Sequence, residues 1–234
     1  MLNEDKIDVS ETVLKKQSLS RIALQLFPQN AYTILNMDPI QLPETYVALS
    51  DFRTHDIYLP EMDQDQIIAD FFPGTFKELT QRLSDITGAF YGGMLKQAGK
   101  LYGAEAVEQL SSTFMYDLGS GMAVRNMEAK PDLKPGIPAV AKILIAAVFT
   151  SSPEYNFEFK ELNDHKAELL IKGVDRYHKI TQSLQIAGLL KWPVIKPFIR
   201  GVCDTMGLDV LLEMKVLKLD PDSSCSYLTT VVKR

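Results

Sequence analysis

Two cysteines, one tryptophan and three histidines are all that this chain of 234 residues holds of the scarcer side chains. Cys203 and Cys225 are too few for a disulfide framework. With no His-x-x-His or Cys-x-x-Cys pattern beside them, they make no structural zinc site either. No run of Lys or Arg is present and the formal net charge is −5, so nucleic acid is not an expected partner. The longest apolar run, Ile143 to Phe149, is far too short to cross a bilayer, so no membrane partner is expected. The opening Met1-Leu-Asn-Glu-Asp-Lys is acidic and polar, unlike a signal or transit peptide. Reduced thiols and a cytoplasmic location follow as expectations. Calcium-loop spacing is also missing. Asp51, His55, Asp56, Glu61, Asp63 and Asp65 therefore read as a solvated acidic loop, and no metal is expected.

What the chain does have is apolar material: 46% of its residues are hydrophobic, enough for a sizeable core. It is unevenly organised. Residues 1–75 read as an irregular arm, with a short helix from Arg21 to Phe27 and one or two helical turns near Gln64–Phe72. Pro28, Pro39, Pro43, Pro60 and Pro73 punctuate it. Phe52, Tyr58, Leu59, Phe71 and Phe72 share no periodic face of their own. They are expected to wrap another part of the protein or a second copy, as in a homodimer.

Residues 76–234 read as a single α+β domain. From Thr75, a stripe of Leu79, Leu83, Ile86, Phe90, Met94, Ala98 and Leu101 recurs at helical steps until Gly103. Gly88, Gly92, Gly93 and Gly99 lie in the same helix, each costing about 1 kcal/mol there, which implies close packing or room for a ligand. A second helix, Ala104 to about Val124, carries Val107, Leu110, Phe114, Leu118 and Met122. Pro138 opens a third that is apolar nearly all round and should be buried, with Lys142 snorkelling out of it.

The period then changes to two. Tyr155, Phe157 and Phe159 alternate with polar residues, and Asn163-Asp164 supplies a turn. Ala167, Leu169 and Ile171 form the return strand. Asp175 is placed to cap a helix running to about Leu189, and Trp192-Pro193 to open another that ends at Gly207. Leu212, Met214 and Val216 make a third strand whose pattern slips at Leu217–Leu219, the mark of a bulge. Ser224 to Val232 is the fourth. The expectation is a four-stranded antiparallel sheet in the order ββααββ, packed on the helical half.

A cavity is expected between the long helices and the concave side of that sheet. Phe90, Met94 and Gly119 would line it from the helices, and Phe157, Leu169, Met214, Cys225 and Tyr227 from the strands. His178, Cys203 and Tyr116 are the candidate catalytic groups, as imidazole, thiol and phenol. Each has a plainer reading. Arg176, His178 and Lys179 also suit a wet helix face, and Cys203 flanks Ile199 and Met206 as a core thiol would. The aromatic first strand and all-apolar third helix suit a hydrophobic or flat small ligand.

The order of elements resembles the L-2-amino-thiazoline-4-carboxylic acid hydrolase-like family over residues 76–234. More distantly it is similar to four-vinyl reductase-type domains and haem-based nitric-oxide sensors. The matching pieces are Leu101-Tyr-Gly103-Ala-Glu-Ala106, Tyr116-x-x-Gly119, Glu168 to Gly173, Cys203-Asp204 and Asp222-Ser-Ser-Cys225-Ser-Tyr227. Where the family often has a cysteine, this chain has Gly173-Val174-Asp175. The Tyr-x-Ser-x-Arg motif of the haem sensors is missing, so no cofactor is expected. The resemblance implies a small-molecule enzyme that opens or rearranges a ring by acid/base steps. The alternative is a binding or sensing domain without turnover.

Overall fold

A computed structural model describes residues 40–234, and the chain divides after Phe72. In the first part, α1 (Glu44–Leu49) follows Pro43 and runs into a 3-10 turn at Ser50–Arg53. α2 (Gln64–Phe71) is capped by Asp63, whose carboxylate accepts from the Gln66 amide at 3.1 Å. The rings of Tyr46 and Phe72 meet edge to face at 5.1 Å. This segment holds more helix than its prolines suggested, since Pro43 stands just outside α1 and costs it no hydrogen bond. The helix expected at Arg21–Phe27 lies outside the described residues.

From Pro73 onward the elements follow the predicted order. α3 (Phe76–Tyr102) is capped by Thr75, whose hydroxyl accepts from the Glu78 amide at 3.2 Å. Gly103, at φ +93°, ends it and turns the chain into α4 (Ala104–Ala129). α5 (Ile137–Ser151) has Pro138 in its first turn. β1 (Tyr155–Leu162) and β2 (Lys166–Val174) form a hairpin, and α6 (Arg176–Ser183) and α7 (Lys196–Thr205) come next. β3 (Val210–Leu219) and β4 (Ser224–Lys233) close the chain. The sheet is antiparallel throughout, in the order β1-β2-β4-β3.

Period-two alternation sends Leu169, Ile171, Tyr227, Val231, Leu212 and Met214 to one face, where all are buried. α5 packs against β1, β2 and β4, and α7 against β3, so this face is the core. Two ladders slip. Lys160 is the extra residue between Phe159 and Glu161 on β1, and Leu217 is the extra residue between Val216 and Lys218 on β3. The second is the bulge read from the sequence.

Three expectations are corrected. The apolar stripe of α3 is not its buried face: Ile86 is 53% exposed, Phe90 70% and Met94 69%, while Ser84, Gly88, Tyr91, Gly92 and Leu95 are buried. Missing side chains explain the inversion, because a Cβ on Gly92 would stand 2.6 Å from Ile180 and one on Gly88 2.8 Å from Arg176. The glycines let α6 seat directly on α3. On α4 Val107 is buried as expected, but beyond it the buried face is one position on, at Ser111, Met115, Gly119 and Ala123. Second, α6 stops at Ser183 rather than near Leu189, with Gln185 at φ +60° and a separate 3-10 turn at Ala187–Leu189. Third, Trp192-Pro193 is a cis step ahead of α7, which starts at Lys196.

α4 and α7 cross where both carry glycine. A Cβ on Gly119 would lie 2.0 Å from the Phe198 carbonyl oxygen, and one on Gly201 2.1 Å from that of Tyr116. Among the described residues no helix is long and apolar enough to cross a membrane.

Candidate functional site: an apolar groove

The rotation of α3 and α4 leaves their large apolar side chains facing each other rather than the sheet. Between them runs a groove of about 740 Å³. α3 lines it with Leu83, Thr87, Phe90, Tyr91, Met94, Leu95 and Ala98, and α4 with Leu110, Phe114 and Leu118. Thr150 and Ser151 at the end of α5, and Tyr177 of α6, complete its lining. A smaller cavity of about 100 Å³ shares Leu118, Thr150, Ser151 and Tyr177 with it and extends to Met115, Met122 and Phe198.

The polar lining is all hydroxyl. Tyr91 shares a 2.7 Å hydrogen bond with Ser111, and its ring meets that of Tyr177 edge to face at 5.0 Å. Burial pushes both phenols above their ordinary pKa, so they stay protonated. Among the described residues no carboxylate, imidazole, amine or guanidinium lines the groove. Directly behind Ser151 lies Arg176, whose Nη1 donates to the Ser151 carbonyl.

Of the residues singled out from the sequence, only Phe90 and Met94 line this groove. Leu169, Met214 and Tyr227 do point inward, but into the packed core beneath α5 and α7. Phe157 sits beside them, half-buried. Gly119 is spent on the crossing with α7.

His178, Cys225 and Tyr227 are gathered around Asp175. The Asp175 carboxylate caps α6 by accepting from the His178 amide at 2.9 Å, and it accepts from the Tyr227 hydroxyl at 2.7 Å. His178 Nδ1 lies 2.9 Å from Ser223 Oγ, and its ring stands edge-on to Trp192 at 4.8 Å. Burial lowers the His178 pKa against the pull of Asp175, and raises that of Asp175 itself. Cys225 is pushed up to about 12 by burial, with the Asp175 charge adding to it. The wet helix face is thus overturned for Arg176 and His178, which are 2% and 6% exposed; Lys179 is exposed as expected.

Tyr116 and Cys203 lie apart from that cluster. The Tyr116 hydroxyl donates to Asp204 at 3.2 Å, which raises its pKa, beside a cleft of about 420 Å³ bordered by Lys196 and Arg200. Cys203 faces the core, fully buried, with its thiol pushed up to about 11 by desolvation. Both cysteines are free thiols. Lys142 is exposed, as a snorkelling lysine would be. Tyr91, Tyr177 and the pair Phe114 and Leu118 were missed as groove residues. Phe114 and Leu118 were legible as apolar, but their stripe read as core.

No protein-family model matches the chain, and no curated protein matches it. Among solved structures, the chain is similar to a trafficking protein particle complex subunit 3 from Naegleria fowleri, covalently bound to palmitic acid. The likeness is 15% in identity with a TM-score of 0.43, over 64% of this chain and 97% of that one.

Proposed function

We propose that residues 73–234 bind a hydrophobic small molecule, elongated or flat, in the groove between α3 and α4, without turning it over. The observation that carries this reading is a 740 Å³ groove whose walls are aliphatic and aromatic. That volume lies within the roughly 300–1,000 Å³ usual for ligand sites. Covering Phe90 and Met94 removes apolar surface from water at about 25 cal/mol per Å². The hydroxyls of Thr87, Thr150 and Tyr177 give orientation, not acid/base power. Ring opening of the amino-thiazoline hydrolase-like kind would need a titrating group beside the substrate. His178, the best candidate, belongs to the buried cluster around Asp175 instead.

The neutral fluorophore N-phenyl-1-naphthylamine tests the reading. The wild-type protein is expected to bind it with a blue-shifted rise in emission. Ala98→Trp, which fills the groove from its wall, should weaken binding about tenfold or more. A folded wild-type protein that leaves the emission unchanged would refute the proposal.

A further inference from the structure

We infer that the ligand of this groove carries a carboxylate, received by Arg176; the inference rests on the binding reading above. Arg176 is 2% exposed, yet its Nε and Nη2 have no hydrogen-bond partner. Only Nη1 is used, on the Ser151 carbonyl, which also accepts from Ser84 Oγ at 3.1 Å. The guanidinium forms no ion pair with any described residue. Its neighbour Asp175 turns the other way, to Tyr227 and the His178 amide. A buried guanidinium with two idle donors is costly to keep, and its fork geometry fits a carboxylate.

Its position ties it to the groove. Ser151 and Tyr177 line the groove, and the Arg176 Cζ lies 5.8 Å from the Tyr177 ring centroid. Thr87 lines the groove too, and the next residue, Gly88, packs on the buried idle nitrogens with no side chain of its own between them and α3. A Cβ there would stand 2.8 Å from Nη2 and 3.3 Å from Nε. A ligand with its apolar body along Phe90, Met94 and Phe114 could bring its acidic end past Ser151 and Tyr177 to Arg176, the buried cation among the described residues. The competing internal partner is Glu154, whose Oε2 is also buried without a partner while Oε1 accepts from Gln81 at 2.7 Å.

The test compares dodecanoate with methyl dodecanoate by isothermal titration calorimetry on the full chain. The acid is expected to bind about tenfold or more tightly, as hydrogen bonds to a charged group allow. Arg176→Gln should erase that preference while leaving the ester's affinity unchanged. Should that variant fail to fold, wild-type protein with ¹⁵N-labelled arginine decides: the Arg176 Nε resonance should shift with the acid and not with the ester. Equal affinity for acid and ester overturns this inference, by showing that the carboxylate gains nothing from Arg176, and leaves the groove reading standing. Binding of neither ligand, with no N-phenyl-1-naphthylamine signal, overturns both.

Discussion

The Tyr227 hydroxyl donates to the Asp175 carboxylate at 2.7 Å, and neither residue has any exposed surface. The bond joins the last strand to the N-cap of α6, 52 residues earlier in the chain. Tyr227→Phe keeps the packing and removes a donor from a desolvated carboxylate. We expect a loss of about 2–3 kcal/mol. Urea denaturation of the two proteins measures it, and an unchanged midpoint would mean that Asp175 does not need this partner.

Burial holds the His178 pKa below its ordinary 6.5, so the native state keeps the ring neutral. As pH falls through about 6.5 the unfolded chain takes up that proton first, and stability is lost. The loss continues down to the lowered folded value, at no more than about 1.4 kcal/mol per pH unit. Asp175 shifts the other way, its raised pKa giving a contribution that is present at low pH and lost as pH rises through the folded value. Denaturation midpoints at pH 7 and pH 5.5, for wild type and for His178→Gln, isolate the histidine. The variant should show the shallower fall.

Gly119 and Gly93 give opposite outcomes on neighbouring helices. A Cβ on Gly119 would meet the Phe198 carbonyl oxygen at 2.0 Å, whereas one on Gly93 meets nothing within 4 Å. Gly119→Ala must push α4 and α7 apart and should cost about 3 kcal/mol or more. Gly93→Ala should gain up to about 1 kcal/mol from helix propensity. Thermal melts that rank the two in the reverse order would contradict the α4–α7 crossing.

Cys203 and Cys225, with thiols pushed up to about 11 and about 12, offer almost no thiolate at neutral pH. Iodoacetamide should modify both in the native protein about a hundredfold or more slowly than in urea. Intact-mass spectra over time read this directly. Fast labelling of either native thiol would restore it as a candidate nucleophile.

Much of the fold is legible because its signals are local. Thr75 and Asp175 each have the short oxygen-bearing side chain that a helix start uses, and both act as caps. The alternation of Leu169, Tyr227 and Met214 set the buried face of the sheet, and the slip near Leu217 set its bulge. The site was not legible, because periodicity reports that a stripe is apolar and not what covers it. On α3, Phe90 and Met94 form the stronger stripe, yet Gly88 and Gly92 win the core by letting α6 come close. Arg176 was unreadable for a related reason: its burial is imposed by Gly88 and Ser151, far from it in sequence.

Both extra residues in the sheet, Lys160 and Leu217, sit on its outermost strands, while the central pairing of β2 with β4 runs unbroken over nine residue pairs. A bulged border is a poor template for a new strand in register, which disfavours extension of the four strands formed by the described residues. Growth by strand addition, the route from a native sheet to a fibre, is discouraged at both sides.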